Sequence, residues 1–121
     1  MARMLRVGST VLGVADVRRA AEFWCRALGY VPRDEEIEET WAVLVPPDGA
    51  GQNISLMFST TPVQEKPRVH LDLYASEPDK EIERLLELGA SRVDWRDYPP
   101  NADFTVLADT EGNRFCVINK S

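Results

Sequence analysis

The chain lacks the features of a membrane-spanning, secreted or nucleic-acid-binding protein. Its 121 residues contain no apolar run near the roughly 18 residues that a membrane helix needs. The stretch "MARMLRVGSTVLGV" has no apolar segment followed by a small-residue cleavage site, as a signal peptide would. The net charge of −6 and the absence of a basic face argue against nucleic acid. We therefore expect a cytoplasmic protein that binds neither membranes nor nucleic acid.

Cysteine and histidine are scarce as well. Cys25 and Cys116 are the two cysteines and show no CxxC spacing, which favours free thiols over a structural disulfide. No Ser-His-Asp order, P-loop or dinucleotide-binding glycine motif is present. His70 is the single histidine, so any imidazole chemistry depends on it. It is a candidate acid or base, a candidate metal ligand, or a polar residue on a binding surface.

The first half of the chain predicts a strand, a helix and three further strands. The alternation in "LRVGSTVLGV", residues 5–14, is typical of a strand, and Asp16 follows it at the position of a helix N-cap. Apolar residues then recur at three- and four-residue spacing as far as Leu28, with Gly29 as the expected end of the helix. A short extended stretch around Pro32 and the segments "TWAVLVP" and "NISLMFS" complete this half.

The second half repeats the same order of elements. "RVHLDLYA" predicts a strand, and "SEPDKEIERLLELG" predicts a helix with Pro78 in its first turn. "SRVDWRDY", "FTVLAD" and "RFCVIN" supply three more strands. The halves align over their central part when His70 is placed opposite Ser9, a repeat of roughly 60 residues. The sequence thus predicts one domain of two βαβββ modules, at about 4–59 and 68–119, joined by a linker at about 60–67.

Three segments resemble the vicinal oxygen chelate superfamily, which contains glyoxalase I, extradiol dioxygenases and bleomycin-resistance proteins. They are "VADVRRAAEFWCRALGY", "HLDLYASEPDKEIERLLELGA" and "LADTEGNRFCVI". The resemblance implies an α+β fold in which two modules form an eight-stranded, U-shaped mixed sheet around a cavity, with the helices outside. It also implies a homodimer. The superfamily does not share one activity, so the fold fixes no reaction.

The resemblance also implies four positions for metal ligands, one on the first and one on the last strand of each module. In this chain those positions hold Ser9, Ser55, His70 and Cys116. The usual residues are His or Gln, Glu, His and Glu, so only His70 is of the usual type. A divalent metal needs about three imidazole or carboxylate ligands. We therefore expect no metal cofactor; a site built from His70, Asp72 and Cys116 is the alternative.

Strand alternation predicts which side chains line the cavity. The apolar rows of the strands should pack against the helices, which leaves a row of mixed polarity on the other face. Such a lining is typical of a small-molecule pocket. The predicted ligand-binding residues are His70, Asp72, Tyr74, Ser9, Ser55, Met57, Arg114, Cys116 and Trp41. Trp95 and Tyr98 are candidates for the cavity mouth. Arg114 is expected to pair with an anionic ligand, with Asp72 or with a surface carboxylate.

The function expected from these residues is binding of a small organic ligand without the superfamily's catalytic metal. Drug-sequestering relatives bind cationic drugs, which the negative net charge would favour. One alternative is a lyase, isomerase or dioxygenase that is metal-dependent or uses His70 as an acid or base. Another is an interaction module whose dimer surface is the functional part. Whether the protein is an enzyme is left open by the sequence.

Overall fold

The structure is a computed structural model that describes residues 4–120, and the chain divides into two compact units at Thr61 and Pro62. Unit 1 contains four strands and one helix. Their bounds are β1 Ser9–Val14, α1 Val17–Leu28, β2 Val31–Pro32, β3 Trp41–Val45 and β4 Asn53–Phe58. Unit 2 repeats this order. Its elements are β5 Asp72–Ala75, α2 Pro78–Leu88, β6 Ser91–Arg92, β7 Phe104–Ala108 and β8 Arg114–Asn119.

Each unit builds its own four-stranded mixed sheet. The strand orders are β1-β4-β3-β2 and β5-β8-β7-β6, with the first pair of each sheet parallel and the remaining pairs antiparallel. The register is also repeated, because a shift of 61 residues maps the pair Val11–Ser55 onto Asp72–Cys116. The predicted α+β class and the two βαβββ halves are thereby confirmed.

Helix α1 begins and ends where its sequence signals predict. Asp16 is extended, with φ −134° and ψ 103°, and its carboxylate accepts a 3.0 Å hydrogen bond from the backbone N–H of Arg19. Gly29 ends the helix in the left-handed region at φ 71°, where a residue without Cβ meets no steric penalty. The helix contacts β3 and β4 and buries Phe23 and Trp24 edge to face, with ring centroids 5.0 Å apart.

Helix α2 occupies the corresponding place in unit 2, where it contacts β5 and β8. Pro78 is its first residue, as predicted, and Gly89 follows its last turn. The buried residues Ile82 and Leu85 form its apolar face. On β8, Phe115 and Val117 are almost fully buried, 1% and 2% exposed. No helix in the described range of 4–120 is both long and apolar enough to cross a bilayer.

Three predicted strands are shorter in the structure, and one of them, β6, ends at Arg92 rather than near Tyr98. The first begins at Ser9 rather than near Leu5, and the fifth begins at Asp72 rather than Arg68. His70 therefore lies two residues before β5 rather than within a strand. The backbone remains close to β8 at this point, since the N–H of Cys116 donates a 2.9 Å hydrogen bond to the carbonyl of Leu71. This contact keeps His70 next to the sheet although the regular pairing starts later.

Candidate functional site

The sheet of unit 2 forms one wall of a cavity of about 330 Å³, here called the unit 2 cavity. Its polar lining residues are His70, Asp72, Asp97, Arg114 and Cys116. Its apolar lining residues are Pro67, Trp95, Phe104, Val106, Phe115 and Ile118. A small number of polar groups in an apolar and aromatic surround is the usual composition of a small-molecule site.

The register of the sheet places the central lining residues side by side. Asp72 is opposite Cys116 on the parallel pair β5–β8, and Val106 is opposite Cys116 on the antiparallel pair β7–β8. Residues that are directly opposite one another share a face of the sheet. Alternation then puts Arg114 and Ile118 on the same face as Cys116. The cavity floor is therefore set by strand pairing.

Asp72 is the centre of a small hydrogen-bonded group. Its Oδ1 lies 3.0 Å from Nε2 of His70, and both side chains are roughly half exposed. The thiol of Cys116 also donates a hydrogen bond to the Asp72 carboxylate. When His70 is neutral, the contact with Asp72 places its proton on Nε2 and leaves Nδ1 as an acceptor. Asp72 thus orients both His70 and Cys116.

The same arrangement holds Cys116 in its protonated form. Burial, together with the charge and hydrogen bond of Asp72, raises the pKa of the Cys116 thiol from 9.0 to about 11. A thiol with this pKa carries little thiolate near neutral pH, and the thiolate is the nucleophilic form. The ligand atoms of His70 and Cys116 lie within 4.8 Å of one another, but the hydrogen bond of the thiol is to Asp72. The geometry therefore argues against Cys116 as a nucleophile.

Arg114 lies at the first position of β8 and is half-buried. Its Nη1 donates a 2.8 Å hydrogen bond to the carbonyl of Gly112, and its buried Nε has no hydrogen-bond partner. Within residues 4–120, no carboxylate forms an ion pair with it. Two of the three partners expected from the sequence, Asp72 and a surface carboxylate, are therefore not found in the described residues. The Asp72 carboxylate contacts His70 and Cys116 instead.

Several cavity residues were not predicted. Phe104 and Val106 follow from alternation on β7 once its pairing with β8 is known, so their signal was present in the sequence. Pro67 and Asp97 lie outside regular strands and carry no periodic signal. The carboxylate of Asp97 forms a 2.7 Å ion pair with Lys66. Trp95, a candidate for the mouth, lines the cavity, whereas the hydroxyl of Tyr98 accepts a bond from the N–H of Val106.

The other predicted site residues lie elsewhere. Tyr74 is 66% exposed and carries the ammonium of Lys120 over its ring, 4.9 Å from the centroid. In unit 1, Trp41 and Met57 are opposite each other on β3 and β4. Trp41 borders a separate depression of about 210 Å³, and Met57 is 48% exposed. The unit 2 cavity therefore gathers four of the nine predicted residues: His70, Asp72, Arg114 and Cys116.

Ser9 and Ser55 are paired with one another. Their Oγ atoms are 2.6 Å apart, and Ser55 is only 2% exposed. Each hydroxyl therefore has a hydrogen-bond partner within its own sheet and does not require a metal to satisfy it. Neutral hydroxyls are also weak ligands for a divalent ion. Of the four positions implied by the family resemblance, only His70 offers a ligand of the usual type, so this set does not fit the superfamily's metal.

A different group of ligand atoms is close together in unit 2. The ligand atoms of His70, Asp72 and Cys116 all lie within 4.8 Å of one another. They offer one imidazole, one carboxylate and one thiol. Zinc binds all three types of ligand, the thiol in its deprotonated form. A cation bound there would have to displace the thiol proton and separate the bond between His70 and Asp72. The side chains present are thus satisfied among themselves.

Comparisons with solved structures show the same fold in proteins of distant sequence. A possible glyoxalase from Bacillus cereus matches with a TM-score of 0.69 and 23% identity, over 94% of this chain and 98% of that one. A glyoxalase-related enzyme from Fulvimarina pelagi matches with a TM-score of 0.66 and 16% identity, over 95% and 88%. No curated protein matches the sequence.

The bleomycin-binding protein of Streptomyces verticillus, solved with copper(II)-bleomycin, matches with a TM-score of 0.60 and 16% identity over the whole of both chains. At these identities the likeness concerns the fold. A family model described as a glyoxalase-like domain matches residues 9–118, nearly the whole sequence. The chain therefore belongs to the glyoxalase-like domain family.

Proposed function

We propose that this protein binds a small organic ligand in the unit 2 cavity and does so without the superfamily's four-position metal site. The observation that carries the proposal is the convergence of His70, Asp72 and Arg114 on an aromatic-walled cavity of about 330 Å³. This volume is near the lower end of the roughly 300–1,000 Å³ of typical ligand pockets. The proposal includes the homodimer and the cytoplasmic location expected from the sequence, which sedimentation and cell fractionation test.

His70 is proposed to contact the ligand through its free ring nitrogen. Its side chain is 41% exposed, and its Nε2 is held by Asp72. Fixing one nitrogen of an imidazole determines the orientation of the other. Nδ1 can then accept a hydrogen bond from a ligand hydroxyl or amide. A partly exposed side chain of this kind contributes little to folding, so its removal should affect binding more than stability.

The test is a thermal-shift and calorimetric screen of small aromatic acids, amides and amines against wild type, His70→Ala and Tyr74→Ala. Tyr74 is the matched control because it is an exposed residue of β5, close to His70 in sequence, and does not line the cavity. We expect His70→Ala to weaken binding about tenfold or more, as the loss of one good hydrogen bond does. Tyr74→Ala should bind normally. A loss of several kcal/mol of stability in His70→Ala would show instead that the residue is structural.

A second candidate function is favoured by the pairing of His70 with Asp72. A histidine oriented by a carboxylate is a common acid–base arrangement, and Cys116 lies close enough to join both residues in holding a metal. The candidate is a lyase, isomerase or dioxygenase. Titration of zinc, nickel, manganese and iron(II) into wild type, His70→Ala and Cys116→Ser distinguishes the two. Stoichiometric binding that both variants lose would favour the metal-dependent enzyme.

A further inference from the structure

We infer that the ligand of the unit 2 cavity is a small aromatic carboxylic acid, bound as its monoanion by Arg114. The inference rests on the proposed function, since it names the ligand class of the same cavity. Its basis is the inventory of donors and acceptors in the cavity wall. The two carboxylates already have partners in this chain, whereas most N–H donors of Arg114 have none in the described residues.

The two carboxylates of the cavity are both engaged. Asp72 accepts from His70 at 3.0 Å and from the thiol of Cys116. Asp97 forms its 2.7 Å ion pair with Lys66. A cationic ligand would therefore have to compete with an existing partner at either carboxylate. Competition of this kind removes most of the gain from a new ion pair.

Unlike the two carboxylates, Arg114 has most of its hydrogen-bonding capacity unused in the described residues. A guanidinium has five N–H donors, and the contacts found in the described part of the chain are limited to the bond from Nη1 to Gly112. That bond fixes the side chain to the turn before β8. The turn is itself held by Asp109, which is 3% exposed and whose Oδ1 accepts from the N–H groups of Glu111 and Asn113. Arg114 is thus a positioned cation without a counter-ion.

Three properties of the site select a monocarboxylate. A guanidinium presents paired donors that match the two oxygens of a carboxylate. Asp72 and Asp97 in the same wall, and the net charge of −6, disfavour a doubly charged phosphate. Trp95, Phe104 and Ile118 provide the apolar surface. Aromatic side chains stack favourably on a flat ring, and the cavity of about 330 Å³ limits the ligand to one or two rings.

The experiment compares matched ligands that differ in charge. Benzoate, phenylacetate and indole-3-acetate are titrated calorimetrically, beside their neutral amides and the corresponding amines. The proteins are wild type, Arg114→Gln, Arg114→Lys and Arg96→Gln. Arg96 is the matched control, because its side chain is 83% exposed, it pairs with Asp94 and it does not line the unit 2 cavity. Circular dichroism and the apo melting temperature establish that each variant is folded.

We expect at least one acid to bind about tenfold or more tightly than its amide. Arg114→Gln should abolish that preference, Arg114→Lys should retain part of it, and Arg96→Gln should leave it unchanged. Added salt should weaken binding of the acid and not of the amide. Preference for amides or amines, with His70→Ala still weakening them, would overturn this inference and leave the proposed function standing. Absence of binding for the whole panel would count against both.

Discussion

The reactivity of Cys116 provides a quantitative test of the hydrogen-bonded group around Asp72. Cys116 is 8% exposed, and its pKa rises from 9.0 to about 11, first through burial and then through the charge and hydrogen bond of Asp72. A rise of two pKa units lowers the thiolate fraction near neutral pH about a hundredfold. A thiolate of higher pKa is itself more nucleophilic, which offsets roughly a tenfold factor of this loss. Cys116 should therefore react with iodoacetamide at least about tenfold more slowly than an ordinary thiol.

The variant Asp72→Asn separates the two causes. It removes the negative charge and the best acceptor of the thiol proton while leaving burial in place. Because burial is the larger cause, we expect the pKa of Cys116 to fall only part of the way towards 9.0, and alkylation to become several-fold faster. Asp97→Asn is the matched control: it removes a carboxylate from the same cavity that is paired with Lys66 instead.

The assay is alkylation followed by tryptic peptide mapping. The two cysteines separate cleanly, since Cys25 falls in the peptide "AAEFWCR" and Cys116 in "FCVINK". Burial raises the pKa of Cys25 as well, so a free thiol such as N-acetylcysteine, added to each reaction, reports on the reagent at each pH. The rate is measured as a function of pH to separate two effects. Limited access lowers the alkylation rate of Cys116 at every pH by the same factor, whereas the pKa sets the pH at the midpoint of the curve.

The free energy of unfolding should also depend on the ionisation of the Cys116 thiol. The pKa of the folded thiol lies above its unfolded value, so its contribution is complete below about pH 9 and is lost as the pH rises towards about 11. A wild-type alkylation profile with its midpoint at or below about 9 would refute the argument that burial and Asp72 keep Cys116 protonated. A rate that is equal in wild type and Asp72→Asn would refute the role of Asp72 alone.

Two further predictions concern the fold. Leu56 is fully buried in β4, so Leu56→Ala should cost about 2–5 kcal/mol in urea denaturation, whereas a loss below about 1 kcal/mol would mean that the sheet relaxes around the gap. Gly29 has φ 71° with no atom within 4 Å of an added Cβ. Gly29→Ala should therefore cost about 1 kcal/mol through backbone strain alone. The control Gly8→Ala, which is equally open and has no positive φ, should be neutral or slightly stabilising.

The fold could be predicted because each element was indicated twice. Asp16 and Gly29 cap the two ends of α1, whereas α2 is marked by Pro78 at its first position and Gly89 after its last turn. Strand alternation then identified which residues of β8 face the helix, since Phe115 is buried beside α2. These signals depend on residues that are close in sequence, so they can be recognised without knowledge of the tertiary structure.

The candidate site could be predicted only in part. His70, Asp72 and Cys116 were placed on one face by alternation, and they do meet. The partner of Arg114 could not be deduced, because a long side chain can reach several neighbours and the choice depends on the turn at Gly112. Asp97 reaches the cavity from a segment without periodicity, so no pattern could reveal it. Side-chain partners outside regular strands are set by tertiary contacts that sequence patterns do not encode.

The two units share one backbone geometry but place different side chains at equivalent positions. A shift of 61 residues maps Ser55 onto Cys116 and Val11 onto Asp72 in the same strand register. In unit 1 this place holds two serine hydroxyls that bond to each other at 2.6 Å. In unit 2 it holds a histidine, a carboxylate and a thiol, beside an arginine without a counter-ion. The same strand pairing thus holds two mutually bonded hydroxyls in unit 1 and a group of ionisable side chains in unit 2. The ligand class must therefore be inferred from the side chains of unit 2, because the fold of the family does not determine it.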